Sequence, residues 1–277
     1  MDAPRLLAVL PDQQIPYHDP VLHDRVLEWL EDQRPDSVVL SGDVIDLPGL
    51  SRHDPKAHEL EDRVNRALKV TRGVLREYAR ASGAGDLHVI PGNHEQRFQK
   101  FVIKNSQQLF DIDDPHGASA YKLLSLPYLL DLEMMGYKWA SDPVYMEDWP
   151  YGHVTITPYL AVYHGWLARK NSGATALATL DHLGHSVIVG HTHRQAEVFH
   201  TYHQIGGELR TLAGVEAGTL ALARGGLGYA VAPNWQPGFA TAWLWPDGMF
   251  DVGLAKFVNG ALLWDGLRYD GRGRATG

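Results

Sequence analysis

Six acidic, amide and imidazole side chains follow short apolar runs of this sequence, each near a glycine or a proline. In chain order they are Asp12, Asp43, Asn93, His164, His191 and His193. Neutral imidazoles, carboxylates and an amide oxygen suit Mn, Fe, Zn or Ni better than they suit calcium. The chain has no cysteine, so any metal must be held by nitrogen and oxygen atoms. The residue types therefore predict a transition-metal site.

Each of these residues has a plainer explanation when it is taken alone. A Gly-Asp pair such as the one ending at Asp43 often only forms a turn, and Asn93 could simply begin a helix. A lone His164 is more often a hydrogen-bonded core residue than a ligand. His191 and His193 are a stronger pair, because residues two apart in an extended segment face the same side. Their combined order along the chain favours one shared site.

The elements that must position these side chains can be read from the apolar pattern. Short runs rich in Val, Leu and Ile predict buried strands at residues 6–10, 38–40, 87–90, 160–163 and 187–189. Helix-like spacing of apolar residues predicts helices at residues 20–33, 57–81 and 174–184. This alternation predicts an α/β core with the candidate ligands beyond the carboxyl ends of the strands. From Gln195 onward, short β-like stretches predict a second, largely antiparallel sheet.

The order of these motifs resembles the calcineurin-like metallophosphoesterase superfamily, over about Arg5 to Arg194. Members carry an Asp-x-His, a Gly-Asp-x-x-Asp, a Gly-Asn-His with Asp or Glu, a lone His and a Gly-His-x-His. Here the corresponding segments read Asp12-Gln13-Gln14, Gly42-Asp43-Val44-Ile45-Asp46, Gly92-Asn93-His94-Glu95, His164 and Gly190-His191-Thr192-His193. The resemblance implies a four-layer α/β/β/α sandwich, with two central mixed β-sheets flanked by helices. The chain length favours a single domain over residues 1–277, with a partly helical insertion at 97–150.

The resemblance also implies a centre with two divalent transition-metal ions, manganese first and Fe, Zn or Ni as alternatives. Two such ions about 3.5–4 Å apart can activate a shared hydroxide and neutralise both oxygens of an in-line displacement. The implied ligands are Asp12 and His193 for the first metal, Asn93, His164 and His191 for the second, and Asp43 for both. This predicts a metal-dependent phosphoesterase that hydrolyses phosphomonoesters or phosphodiesters.

Four further residues receive roles beside the metals. His94 is predicted to be the acid that protonates the leaving alkoxide, with Asp46 orienting its imidazole. Arg97 and Arg194 closely follow ligand motifs and are predicted to bind phosphate oxygens, which arginine matches with two hydrogen bonds. Solvated surface positions remain an alternative for both arginines.

One position departs from the family pattern, because Gln14 stands where the first motif has a metal-binding histidine. A glutamine oxygen can reach a metal, but it is neutral and a poorer ligand than imidazole for late transition metals. The first metal site is therefore expected to be weaker if Gln14 is its fourth ligand. His18 could replace the missing imidazole, or it could lie outside the site.

The composition narrows the partners of this site. Twenty-five Lys and Arg against 33 Asp and Glu leave a formal charge of -8, which argues against binding long duplex nucleic acid. A small phosphate ester is the expected substrate. The sequence contains no apolar run of about 20 residues and no signal peptide, so we expect a cytoplasmic protein without membrane association.

Two alternatives stay open at this point. One is a nuclease that acts on short or single-stranded nucleic acid. The other is a non-catalytic scaffold that retains the fold, although such a protein would not need His94. A metallo-β-lactamase-like hydrolase also uses His-x-His, but its motif usually continues with Asp-His, whereas Arg194 and Gln195 follow here.

Overall fold

The computed structural model describes residues 3–47, 50, 63–141, 152–203, 205–222 and 234–272. The strands of the larger sheet are β1 Arg5–Leu10, β2 Ser37–Leu40, β3 Asp86–Val89, β4 Tyr137–Trp139, β10 Gly238–Leu244, β11 Phe250–Val258, β12 Ala261–Trp264 and β13 Leu267–Tyr269. The strands of the smaller sheet are β5 His153–Thr157, β6 Leu160–Tyr163, β7 Ser186–Val189, β8 Gln195–His203 and β9 Leu209–Ala217. The helices are α1 Pro20–Gln33, α2 Arg63–Ser82, α3 Asn93–Asn105, α4 Leu126–Leu129 and α5 Ala174–Leu183, with a 3-10 helix at Glu133–Met135.

Both sheets are mixed. The larger sheet has the strand order β13-β12-β11-β10-β1-β2-β3-β4, and its strands from β1 to β4 run parallel. The smaller sheet has the order β5-β6-β7-β9-β8, with β6, β7 and β9 parallel and an antiparallel strand at each edge. No helix among the described residues is long and apolar enough to cross a bilayer.

The alternation of side chains along β1 explains why the molecule has four layers. Leu6, Ala8 and Leu10 pack with buried residues of α1 and α2 on one face of the larger sheet. Leu7 and Val9 point to the opposite face, where they pack against residues of β6, β7 and β9. A strand whose two faces are both buried carries apolar residues at successive positions, as β1 does from Leu6 to Leu10.

The fourth layer is α5, which covers the outer face of the smaller sheet. Ala176 and Leu180 of this helix are fully buried against Tyr163 of β6 and Val187 of β7. The order is therefore helices, larger sheet, smaller sheet and helix. This confirms the predicted α/β/β/α sandwich.

The region from Gln195 onward does not form a second sheet of its own, as the sequence predicted. Its strands are divided between the two sheets. Strands β8 and β9 join β6 and β7 in the smaller sheet, whereas β10 pairs antiparallel with β1 and continues the larger one. The candidate ligand loops are likewise divided between the two sheets. Apolar periodicity predicts that a segment is a strand, but it does not identify which distant strand will be its neighbour.

The helix boundaries agree closely with the apolar pattern at α1 and α5, whereas α2 begins at Arg63 and residues 57–62 of its predicted helix lie outside the described residues. Residues 97–150 do not begin as a separate segment, because α3 already starts at Asn93. They continue through α4 and the 3-10 helix to β4, which adds a parallel strand beside β3. The last nine of them, 142–150, lie outside the described residues. The single domain stays a prediction.

The first turn of α3 holds the loop that follows β2. Glu95 is only 1% exposed, and its carboxylate accepts backbone N–H groups from Asp43 at 3.0 Å, Val44 at 2.8 Å and Ile45 at 3.1 Å. A fourth N–H, from Gly92, donates at 2.7 Å. An ionised carboxylate only accepts hydrogen bonds, so four donors suit it fully. This one side chain therefore fixes the β2 loop against α3.

Replacing Glu95 with glutamine is expected to destabilise the protein by about 3 kcal/mol, because hydrogen bonds to a charged group are worth about 1.5–3 kcal/mol each. A glutamine retains one acceptor oxygen and turns an NH2 group toward backbone N–H donors. Urea unfolding followed by circular dichroism measures the change. Glu31→Gln, at an exposed position of α1, is the matched control and should stay within about 0.5 kcal/mol of the wild type. Equal stability of the two variants would contradict the assigned role of Glu95.

Candidate metal centre

The candidate site lies where the carboxyl ends of parallel strands from both sheets meet. Asp12 follows β1, Asp43 follows β2 and Asn93 follows β3, all in the larger sheet. His164 follows β6 and His191 follows β7, both in the smaller sheet. The structure brings these five loops together, since Asp12 Oδ2 accepts the backbone N–H of His191 at 2.9 Å. The site therefore bridges the two halves of the sandwich.

The surroundings of His164 show most clearly that the lone pairs of several side chains point toward one place in this site. Its Nδ1 donates to the carbonyl oxygen of Ser41 at 2.9 Å, so the neutral imidazole has its lone pair on Nε2. That Nε2 atom faces Asn93 Oδ1 at 3.3 Å and Asp43 Oδ1 at 3.5 Å. Three acceptor atoms this close require a proton or a cation between them. Two donors about 2.1 Å from one ion at a tetrahedral angle lie about 3.4 Å apart, so the spacing fits a metal.

His191 completes this group. One ligand atom each from Asp43, His164 and His191 lies within 4.8 Å of the others, which is a cluster able to hold a metal ion. The rings of His164 and His191 meet edge to face at 5.1 Å. Burial and the neighbouring His164 lower the pKa of His191, and the neutral imidazole is the form that binds metals.

The charge on Asp43 is strongly favoured. Burial alone would raise its pKa, but the imidazoles of His164 and His94 and the backbone N–H of His94 outweigh it and lower the pKa to about 2. For His164, the carboxylates of Asp43 and Asp12 overcome burial and raise the pKa. The same negative field that favours a protonated imidazole also favours a divalent cation.

Asp12, Gln14 and His193 form the other half of the site. Asp12 Oδ1 lies 3.2 Å from His193 Nε2, but this pair does not have hydrogen-bond geometry. Gln14 Nε2 donates to Asp43 Oδ2 at 3.1 Å. Asp12 Oδ1 and Gln14 Oε1 are buried and have no hydrogen-bond partner among the described residues. A second cation would use such unsatisfied oxygen atoms, together with the neighbouring imidazole, as its ligands.

Five residues of this site have a left-handed backbone. The φ angles are positive at Asp12 (42°), Gln14 (52°), Asp43 (49°), His191 (66°) and His193 (58°). A side chain other than glycine in this region costs about 1–3 kcal/mol and is concentrated at functional sites. The loops therefore keep an unfavourable conformation that aims these side chains inward.

Two glycines allow the loops to approach the carboxylates. A Cβ on Gly92 would overlap the Asp43 carboxylate and backbone, and a Cβ on Gly190 would lie 2.6 Å from Asp12 Oδ2. Real Cβ atoms essentially never come as close to another heavy atom as a Cβ would at either glycine. The Gly-Asn and Gly-His spacing in the sequence is therefore a packing requirement of the site.

His94 and Asp46 form a pair beside the cluster. His94 Nδ1 lies 3.0 Å from Asp46 Oδ1, and His94 Nε2 lies 3.7 Å from Asp43 Oδ2. Burial lowers the pKa of His94, but the carboxylates of Asp43 and Asp46 outweigh it and raise the pKa overall. The ring is thus fixed at one nitrogen and directs the other toward the candidate ligands.

The two arginines differ in their surroundings. Arg97 is exposed one turn after His94 on α3, where its charge acts on that imidazole. The guanidinium of Arg194 donates to the backbone oxygens of Arg169 and Lys170, in the loop that follows His164. These bonds give Arg194 a structural role, and phosphate binding by either arginine stays a prediction.

His18 belongs to a different group of side chains. Its ring meets that of His23 edge to face at 5.4 Å. His23 in turn contacts Tyr78 at 3.2 Å and Glu77 at 2.9 Å, between α1 and α2. None of the described contacts joins His18 to the candidate ligands, so a role for it in place of the histidine missing at position 14 stays a prediction.

Three supporting residues were not identified from the sequence. Ser41 acts through its carbonyl, which every residue type has, so its identity carries no signal. Trp235 packs against His193 with ring centroids 4.4 Å apart, although 42 residues separate them in sequence. Glu216 is fully buried and accepts N–H groups from the start of α5 and the hydroxyl of Thr192. An acidic residue inside the apolar strand β9 was the one signal available.

The chain is similar in sequence to two mycobacteriophage proteins, and no family model matches it. Gene 54 protein of Mycobacterium phage D29 is 28% identical over 248 residues, covering 84% of this chain and 86% of the relative. Gene 54 protein of Mycobacterium phage L5 is 27% identical over 249 residues, covering 84% and 87%.

Solved structures similar to this chain include two Vps29 proteins. Vacuolar Protein Sorting 29 from Cryptosporidium parvum has 16% identity and a TM-score of 0.40, covering 93% of this chain and 100% of that one. Vps29 from Chaetomium thermophilum has 11% identity and a TM-score of 0.39, covering 92% and 98%.

Proposed function

We propose that this protein is a metal-dependent phosphoesterase with His94 as its acid. The observation that carries the proposal is the His94–Asp46 pair, in which Nδ1 is held at 3.0 Å while Nε2 faces the carboxylate of Asp43. A protein that only binds metal has no need of an imidazole oriented in this way. The same orientation is what a general acid requires next to a leaving oxygen.

The proposed centre holds two divalent ions, with manganese as the first candidate. Asp43, Asn93, His164 and His191 would hold one ion, while Asp12 and His193 would hold the other, with Asp43 shared and Gln14 nearby. When bound, such ions activate water and neutralise the charge that develops on a phosphoryl group. The donor set of imidazole, carboxylate and amide oxygens supports this assignment.

The chain's own residues would perform the proton transfer. Asp46 accepts the Nδ1 hydrogen of His94 and so keeps the proton to be donated on Nε2. Burial of both side chains limits their exchange of protons with bulk water. The proposed substrate is a small phosphate monoester or diester, since the formal charge of -8 opposes long duplex nucleic acid.

His94→Asn is expected to lower kcat about 100-fold or more on an alkyl phosphate ester, because general acid catalysis contributes about 10²–10⁴-fold. The loss should be much smaller on 4-nitrophenyl esters, whose leaving group departs without a proton. Rates of the manganese-loaded protein would be measured separately on both kinds of ester, on a 2′,3′-cyclic nucleotide and on a short oligonucleotide.

His88→Asn is the matched control, because His88 also contacts a carboxylate, at 2.9 Å, but that carboxylate belongs to Asp86 at the start of β3, the end away from Asn93. It should leave all rates unchanged. Equal losses on good and poor leaving groups would contradict the assignment of His94 as the acid. A faster reaction with the oligonucleotide than with the small esters would favour a nuclease. No hydrolysis of any substrate would favour a non-catalytic scaffold.

Gln14→His is expected to increase the metal retained after dialysis from about one ion to about two per chain. The reason is that Gln14 currently donates its NH2 group to Asp43 Oδ2, whereas an imidazole at this position would offer a lone pair. Elemental analysis of the dialysed protein gives the stoichiometry without an activity assay.

Asp43→Asn is the comparison for this measurement, because it removes the carboxylate that both ions are proposed to share. It should reduce the retained metal below that of the wild type. If Gln14→His retains no more metal than the wild type, Gln14 does not border a metal position. If Asp43→Asn retains all of its metal, the proposed centre is wrong.

A further inference from the structure

The edge of the smaller sheet that β8 forms differs from the other sheet edges in the described part of the chain. The edge strands β4 and β13 have only three residues each, and β5 has a register irregularity between Thr155 and Thr157. Short or bulged edges resist pairing with another chain. The edge strand β8 has nine residues in continuous register with β9, and its sequence contains no Pro, Lys or Arg. Apart from the carboxylate of Glu197, it therefore carries none of these protections among the described residues.

Hydrogen bonds identify which backbone groups of β8 point outward. Gln195 N donates to Gln236 Oε1 rather than to its ladder partner in β9, and Ala213 N, opposite Phe199, donates to Ser186 Oγ on the side of β7. In an antiparallel pair, hydrogen-bonded and non-hydrogen-bonded positions alternate. The N–H and C=O groups that face away from β9 are therefore those of Glu197, Phe199, Thr201 and His203.

Large apolar side chains lie beside this edge. Phe199 on β8 is 64% exposed, and Ile205 between β8 and β9 is fully exposed. Leu209 is as exposed as Phe199, but it belongs to β9 and so lies one strand away from the edge. Isolated exposed apolar residues are ordinary, but two of them beside a long, regular edge strand are typical of an interaction surface.

We propose that β8 pairs antiparallel with β8 of a second copy of this chain, with the two-fold axis at His200. Gln236 already occupies the edge at Gln195, so the part of the edge that no other described residue occupies runs from Glu197 to His203, and His200 is its centre. This register places the carboxylate of Glu197 opposite the imidazole of His203 in both halves of the pair. The strand is thus complementary to itself, and pairing joins two five-stranded sheets into one of ten strands.

Light scattering after gel filtration tests the assembly. The wild-type chain, of 30.8 kDa, is expected to have twice that mass at micromolar concentrations. Replacing both Phe199 and Thr201 with lysine places like charges opposite each other and should return the mass to that of one chain. Leu209→Lys is the matched control, because it removes an equally exposed apolar side chain from the neighbouring strand and should leave the dimer intact.

A single introduced cysteine tests the register, since the chain has no cysteine of its own. His200→Cys would face its own copy across a non-hydrogen-bonded pair, with Cα atoms about 4.5 Å apart, which a disulfide can span. Tyr202→Cys is the control, because its copy would lie about 14 Å away along the strands. Oxidation should therefore crosslink the first variant and not the second.

Three results would overturn the proposal. They are a wild-type chain with the mass of one copy, a dimer that survives the two lysines, and a dimer that Leu209→Lys also abolishes. Crosslinking of both cysteine variants, or of neither, would overturn the register. Circular dichroism spectra and thermal midpoints of all variants must match the wild type, so that loss of the dimer is separated from loss of the fold.

Discussion

The buried carboxylate of Glu95 is the interaction on which the rest of the site depends. It has no cationic partner among its described contacts, and four backbone N–H groups solvate its charge in place of water. Three of these N–H groups belong to consecutive residues from Asp43 to Ile45. The carboxylate thereby imposes the loop conformation that turns Asp43 inward with φ of 49°. The unfavourable backbone at Asp43 persists because the surrounding hydrogen bonds compensate for it.

Next to that loop, hydrogen-bond acceptor atoms from loops of both sheets lie close together. Ser41 fixes the tautomer of His164, and Asp12 accepts the backbone N–H of His191, so each half of the sandwich orients a candidate ligand of the other. The resulting group has more lone pairs than hydrogen-bond donors. Such an arrangement is costly in a protein interior unless protons or cations enter it. Entry of a cation into this candidate site would therefore depend on the alignment of the two sheets.

The sequence was sufficient for the local elements and for the set of converging side chains, because both depend on short-range pattern. Asp43, Asn93 and His164 each follow an apolar run, and the carboxyl ends of parallel strands meet at one edge of a sheet. Two features lay beyond such reasoning. The pairing of β10 with β1 depends on contacts more than 200 residues apart in sequence, and the role of Ser41 depends on a carbonyl common to all residues.

The loop that carries His193 leads directly into β8, so the candidate metal centre and the exposed edge are joined at one anchored residue. Gln195 supplies it, because its Nε2 atom donates to Ala217 O in the smaller sheet and most closely, at 2.8 Å, to Ala255 O in the larger one. This anchor restrains the start of β8 while the strand continues away from the site. Five residues of β8, or about 17 Å, separate Gln195 from the proposed axis at His200. In two paired copies the two Gln195 anchors would therefore lie about 34 Å apart, and each candidate centre would be complete within its own chain.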